Sequence, residues 1–445
     1  MSASAKGLKR VLFGILAVLG LAAAAGATIV LEDDYETMGE PIVLTQPVVL
    51  GAPASIALRT TLGGNPGADV TATAPINDDM PETTQLVIDA GAGNVRLAPV
   101  GNETPVAGVA VTSAAQVDLA DVTAGGSGVN LNAGGGGGGG GGGILLNGNV
   151  ATNGGAITIQ GNVVLGAAAA VTLDTTAAGG MGANITIIGT VDDDAANTSG
   201  LILKAGNTGN VSLQGAVGAA VPIASLSVNS ANKVDLPAVT TGGAVTVTAA
   251  TANVNGPMAT GGGAVALNAG TVSLKAPIAT FGGALSGTAS TVNVSAAASL
   301  QNAVDIAAQG ATLSIAGGTY NEAVTVATAL AMNFLDDTII GQTLTINNNV
   351  DLGGAAKHLA VDALNINTSE VKLDVNSLPV YVDGDVEATL DDWITDGRLA
   401  SSAWGANIRA TYNATLDRTE VTPEPATLCM LALGGLGVLL RRRGK

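Results

Sequence analysis

The chain has 445 residues, enough for a large repetitive structure or two to three domains, and carries 63 Gly, 2% aromatic and 12% charged residues. So few bulky side chains exclude a wide globular core and favour a narrow one filled by ladders of Val, Ile, Leu and Ala. The net charge of −18 excludes nucleic acid as a partner, since that needs clustered Lys and Arg.

Residues 1–27 read as a signal peptide that addresses the chain to the Sec translocon. Lys6, Lys9 and Arg10 precede an apolar run at 11–21 and a small-residue run at 22–27. Residues 28–85 contain an acidic stretch (Glu32, Asp33, Asp34, Glu36) and scattered prolines, and read as an irregular N-terminal lead or cap.

Residues 86–298 read as a parallel β-solenoid. Gly-Gly pairs at Gly242, Gly262 and Gly282 repeat every 20 residues, each followed by an alternating run such as Ala244-Val245-Thr246-Val247. One such unit cannot bury its apolar face alone and must stack on copies of itself. A longer match relates residues 86–133 to 201–249, with Val117-Asp118-Leu119 answering Val234-Asp235-Leu236. The solenoid is therefore expected to begin near residue 86. A run of ten glycines, 134–143, reads as a loop. A phosphate cradle would need a strand, a helix and a Lys around it, which are missing.

Residues 299–380 read as a helix-capped second β-helix segment. Leu300, Ala303, Val304 and Ala307 trace one helix face, Gly310 is the expected stop, and short strands follow. Residues 381–420 read as a C-terminal cap module with a helix over 386–395 ended by Gly397. It holds both tryptophans, Trp393 and Trp404, as a mini-core or as candidate ligand contacts.

Candidate chemistry is sparse. Asp192, Asp193 and Asp194 form the densest acidic run and are the candidates for a calcium ion on a solvated turn. Asp383, Asp385 and Glu387 begin like a calcium loop, but Ala388 and Ile394 break the pattern. No other cofactor is expected. His358 is the only histidine, beside Lys357. Asp336, Asp337 and Asp351 are carboxylates that nothing in the sequence brings together. Cys429, the only cysteine, lies in the C-terminal segment, which leaves the body of the protein without thiol chemistry.

Residues 421–445 carry the most specific signal. Pro423-Glu424-Pro425 leads into an apolar run at 428–440, closed by Arg441, Arg442 and Arg443. This resembles the PEP-CTERM sorting signal of exported bacterial proteins. The resemblance implies recognition by an exosortase, a membrane-embedded cysteine transpeptidase-like enzyme. It also implies passage through the inner membrane as a transmembrane segment, and release or attachment at the surface. Removing both ends takes seven of the 17 basic residues and one of the 35 acidic ones, making the mature protein still more acidic.

The Gly-Gly-Ala-Val and Asn-Val-Asn strand repeats resemble the haemagglutinin-like and autotransporter-type solenoids of bacterial surface proteins. The order of helix, glycine, strand and Gly318-Thr319-Tyr320 with Glu322 resembles the opening of pectin-lyase-type β-helices, where that acidic position is structural. The expectation is an all-β, non-enzymatic, exported cell-surface or extracellular-matrix protein, adhesin-like, with extracellular polysaccharide among its partners. The alternatives are a polysaccharide-active lyase or hydrolase on the β-helix, and a calcium-binding structural spacer.

Overall fold

The structure is a computed structural model, and it describes residues 28–51, 54–134, 143–166, 169–404 and 408–423. Strands make up 54% of it and helices are two short segments, which fixes the class as a parallel β-solenoid of about 16 turns. Two compact units divide between Ala289 and Ser290.

In the first unit each turn lays one short strand on each of three faces. Alternate residues of each strand point inward and stack on their counterparts in the next turn. On the first face one inward column runs Val48, Ile76, Val100, Val122, Val150, Leu173, Leu203, Val228, Val247 and Leu267. Every member is at most 1% exposed. Full burial of one such side chain stabilises by about 1.5–3 kcal/mol, so the column substitutes for a thick core. The 20-residue units hold register for nine pairs between Val245↔Val265 and Val254↔Leu274, without a shift.

The solenoid starts far earlier than residue 86. Ile29–Leu31, Val48–Leu50 and Ile76–Asp78 pair in parallel on the first face, and Ile42–Leu44 and Val70–Ala72 open the third. Residues 28–85 are thus regular turns, not an irregular lead. Pro47 and Pro75 sit in the corners between strands, where no ladder donor is lost, and offer only carbonyls, to Ile29 and Val48.

The internal duplication is also longer than residues 86–133. Thr60 Oγ1 donates to Ala68 O at 2.9 Å, and Thr175 Oγ1 donates to Ala183 O at 3.0 Å. Bridges join Met38 to Thr61 and Asn153 to Thr176. Gly39 and Gly154 share a positive φ, as do Gly67 and Gly182, and Glu82 and Asn197. All these pairs lie 115 residues apart. The first copy begins at Ile29–Leu31 and the second with Ile144, directly after the ten glycines.

The copies do not occupy the same faces. Val95–Leu97 lies in the third-face sheet, while its counterpart Asn210–Leu213 pairs with Ile185–Ile187 on the second. Gln85–Asp89 lies on the second face, while its counterpart Ser199–Lys204 continues the first. The duplicated length is one face short of a whole number of turns.

In the second unit a helix, α1 (Leu300–Ile306), buries Leu300, Ala303, Val304 and Ile306. It stops at Ile306, and Ala307–Ile315 follows at once as a strand. Gly310 lies inside that strand and does not end the helix. Parallel turns continue through Leu330–Phe334, Val350–Gly354 and Leu373–Asp374. Val380–Asp383 pairs in parallel with Leu359–Ile366 on one side and antiparallel with Arg418–Pro423 on the other. The cap region therefore shares a sheet with the coil before it. The second helix, α2 (Glu387–Thr395), ends before Gly397, which holds a φ of 80°.

Candidate functional site

Two antiparallel strands, Ile408–Asn413 and Arg418–Pro423, form the last described element. Antiparallel pairing inside a parallel stack ends the coil's growth, because the hairpin turns the chain back on itself. Its anchors are side chains. Thr419 Oγ1 donates to Gly384 O at 2.8 Å and accepts from Val386 N at 3.0 Å. Glu387 Oε2 accepts from Tyr412 N at 2.8 Å, so this carboxylate belongs to the fold rather than to a calcium loop. The Arg418 guanidinium lies 4.0 Å from the Tyr381 ring centre and donates to Glu420 Oε1 at 3.1 Å. The His358 ring stacks on the same Tyr381 at 4.9 Å. Tyr381 is thereby flanked by both His358 and Arg418.

Pro423, the first residue of the Pro-Glu-Pro triplet, is the last residue of this hairpin and stands opposite Ile408. Residues 421–443 match the family model for the PEP-CTERM protein-sorting motif. The chain carries a PEP-CTERM sorting motif. That motif marks an exported protein sorted by an exosortase. No curated protein and no solved structure matches the chain. Glu424, Pro425, Arg441, Arg442, Arg443 and the signal peptide lie outside the described residues. Among the described residues no helix is long and apolar enough to cross a membrane.

Of the acidic run, Asp194 is exposed at a bend and Asp192 half-buried, but Asp193 turns inward. Asp193 is 2% exposed. Its carboxylate accepts from Thr198 N at 2.7 Å, Ser199 N at 2.8 Å and Thr198 Oγ1 at 3.0 Å. Burial works to raise its pKa, but the donors of Ser199 and Thr198 outweigh burial and hold it below the usual carboxylate value. Asp192 Oδ1 accepts from Ala220 N at 2.8 Å, and Asp194 Oδ1 from Thr198 Oγ1 at 3.3 Å. Asp78 makes the same loop in the first copy, with Thr83 N at 2.9 Å and Thr84 N at 2.7 Å. These carboxylates satisfy backbone donors at a corner. Among the described residues, no three His, Cys, Asp or Glu side chains stand close enough to hold one metal ion.

Glu322 closes the start of α1. Its Oε2 accepts from Ser299 Oγ at 2.6 Å and its Oε1 from Leu300 N at 2.5 Å. Ser299 Oγ in turn accepts from Asn302 N at 3.1 Å. The acidic position is structural, in line with the resemblance noted for it. Asp337 Oδ1 accepts from Lys357 N at 2.7 Å and His358 N at 3.2 Å, so the residues around the lone histidine also fix a corner.

Trp393 is 8% exposed, with the Arg398 guanidinium 5.5 Å from its ring centre. It is a core residue and offers no open face to a sugar. Trp404 is half-buried, its backbone N–H donating to Ser401 Oγ at 2.9 Å. The exposed aromatic is elsewhere: Phe281 is 76% exposed, beside a groove of about 250 Å³ lined by Asn197, Pro222, Thr240, Ala259, Gly261 and Phe281. The sequence marks it only as a Phe standing 20 residues after Gly261 in the regular repeat.

Proposed function

We propose that the protein is a non-enzymatic structural component of the bacterial cell surface or extracellular matrix, adhesin-like, delivered by its PEP-CTERM motif. The observation that carries this reading is the junction at Pro423: the sorting motif begins inside the hairpin that terminates the second unit, so the address is fused to the scaffold itself. The outward column of the second face supports it. Asn130, Thr158, Thr186, Ser212, Asp235, Asn253 and Ser273 follow one another turn by turn. Such a column offers many weak polar contacts to extracellular polysaccharide or to other copies.

Two experiments test it. Cell fractionation compares the full chain with a variant lacking residues 424–445, which leaves every hairpin pair in place. The full chain is expected at the surface and the truncated one in the medium; identical distributions would defeat the sorting role. Incubation with pectin or alginate is expected to release no unsaturated or reducing ends. Release that disappears on Asp336→Ala or Lys357→Ala would establish the enzyme instead.

A further inference from the structure

Thr280, Phe281, Gly282 and Gly283 form a tight turn in which Gly283 N donates to Thr280 O at 3.0 Å. Both central residues have positive φ, 47° at Phe281 and 100° at Gly282. Gly, Asn and Asp dominate the first central position of such a turn, because a larger side chain there strains the backbone. Here it is Phe, in a chain with only three, and the ring is left in water. Neither packing nor turn chemistry asks for it, and the fold is worse off for it. A local rule broken at a single position of an otherwise regular repeat points to function.

The groove beside the ring supplies the chemistry. Among the described residues Phe281 neither stacks on another ring nor lies under an arginine, and it is largely exposed. The groove's lining holds no charged side chain, in a chain of net charge −18. The surface that the groove exposes is almost wholly apolar. The hydroxyls of Thr241 and Thr260 are already given to Gly243 O and Gly263 O, at 2.7 and 2.6 Å.

We propose that Phe281 and this groove bind one ring of a neutral polysaccharide, the sugar's C–H face stacked on the phenyl ring and against the apolar groove wall, its hydroxyls left to water. An aromatic face matches the apolar face of a pyranose, and a chain of net charge −18 disfavours anionic glycans. The groove is small for a ligand site, which suits a single ring of a long polymer.

The proposal rests on the surface-protein reading only for its access to a glycan, and a purified full-length chain tests it separately. The assay is electrophoresis through native gels containing a neutral glucan, a neutral mannan or alginate. A neutral polymer is expected to retard the chain and alginate is not. Phe281→Gly is expected to weaken retardation at least about tenfold while melting no lower than the parent, since the turn accepts Gly. Phe281→Tyr is expected to keep it. Unchanged retardation of the Gly variant, retardation by alginate alone, or none in either neutral gel would overturn the proposal. In fractionation the Gly variant is expected at the same location as the parent, so loss of binding and loss of sorting are told apart.

Discussion

Buried carboxylates and hydroxyls fix the corners of this fold, and their effect is measurable one residue at a time. Asp193 titrates below its unfolded value, so its contribution is present above about pH 4 and lost as pH falls through its folded pKa. Asp193→Asn should lower stability by about 1–3 kcal/mol at neutral pH and flatten the acid limb of a pH–melting curve. Asp78→Asn removes the same hydrogen bonds in the other copy, and the two costs should add in the double variant because no partner is shared. Tyr320 behaves in the opposite sense. Burial first, then Glu322, raises its phenol to about 12. An unfolded tyrosine ionises near 10, so Tyr320 stabilises the fold below that pH and ceases to as pH approaches 12. Absorbance titration near 295 nm should show Tyr320→Phe losing a late-titrating step. The sequence shows three adjacent aspartates but not which one turns inward. That choice follows from strand alternation at Val191–Asp193, where Val191 and Asp193 are buried and Asp192 is not.

At the scale of single elements, the Gly-Gly pairs are a packing requirement. A Cβ on Gly263 would stand 2.1 Å from Gly243 C, and one on Gly283 would stand 2.2 Å from Gly263 O. Gly263→Ala should cost about 1–3 kcal/mol by overpacking. Gly126→Ala meets nothing nearer than Asn153 O at 4.0 Å and should be neutral or stabilise by about 0.4–1 kcal/mol; urea melts separate the two. Glu322→Gln should destabilise the start of α1 by about 1.5–3 kcal/mol, since two donors lose a charged acceptor. The 20-residue strands, α1 and α2 were legible because periodicity and capping residues are written in the letters. The start of the strand after α1 was not. Ala307 continues the helical spacing, yet its backbone is extended at φ −74°, ψ 133°, because the next turn of the coil needs a strand there.

Across each unit, stability is a sum over neighbouring turns, so damage should stay local. Leu203→Ala, in the middle of the first-face column, should cost about 2–5 kcal/mol. Hydrogen exchange should show faster exchange concentrated in the turns around Leu203, with distant turns of the same unit protected as before. The turns of residues 28–85 escaped the sequence because short strands among prolines do not alternate long enough to show a period. The full duplication escaped it because Met38 and Asn153, or Glu82 and Asn197, share a backbone role and no chemistry. Sorting was legible and ligand binding was not, since a sorting tail is read as a linear string while a groove is assembled from five different turns.

The displacement of the second copy by one face bears on how such a molecule changes length. Two stretches related by descent fold equally well on different sides of the prism. The three sides are therefore interchangeable as hosts, and the unit of insertion or deletion is a strand with its corner rather than a complete coil. Recombination between repeats can then lengthen or shorten the first unit's coil in steps of a third of a turn, each product keeping every remaining strand paired. Natural variants of this coil should differ in length by such fractional steps, and chains trimmed by one strand and its corner within residues 242–289 should still melt cooperatively.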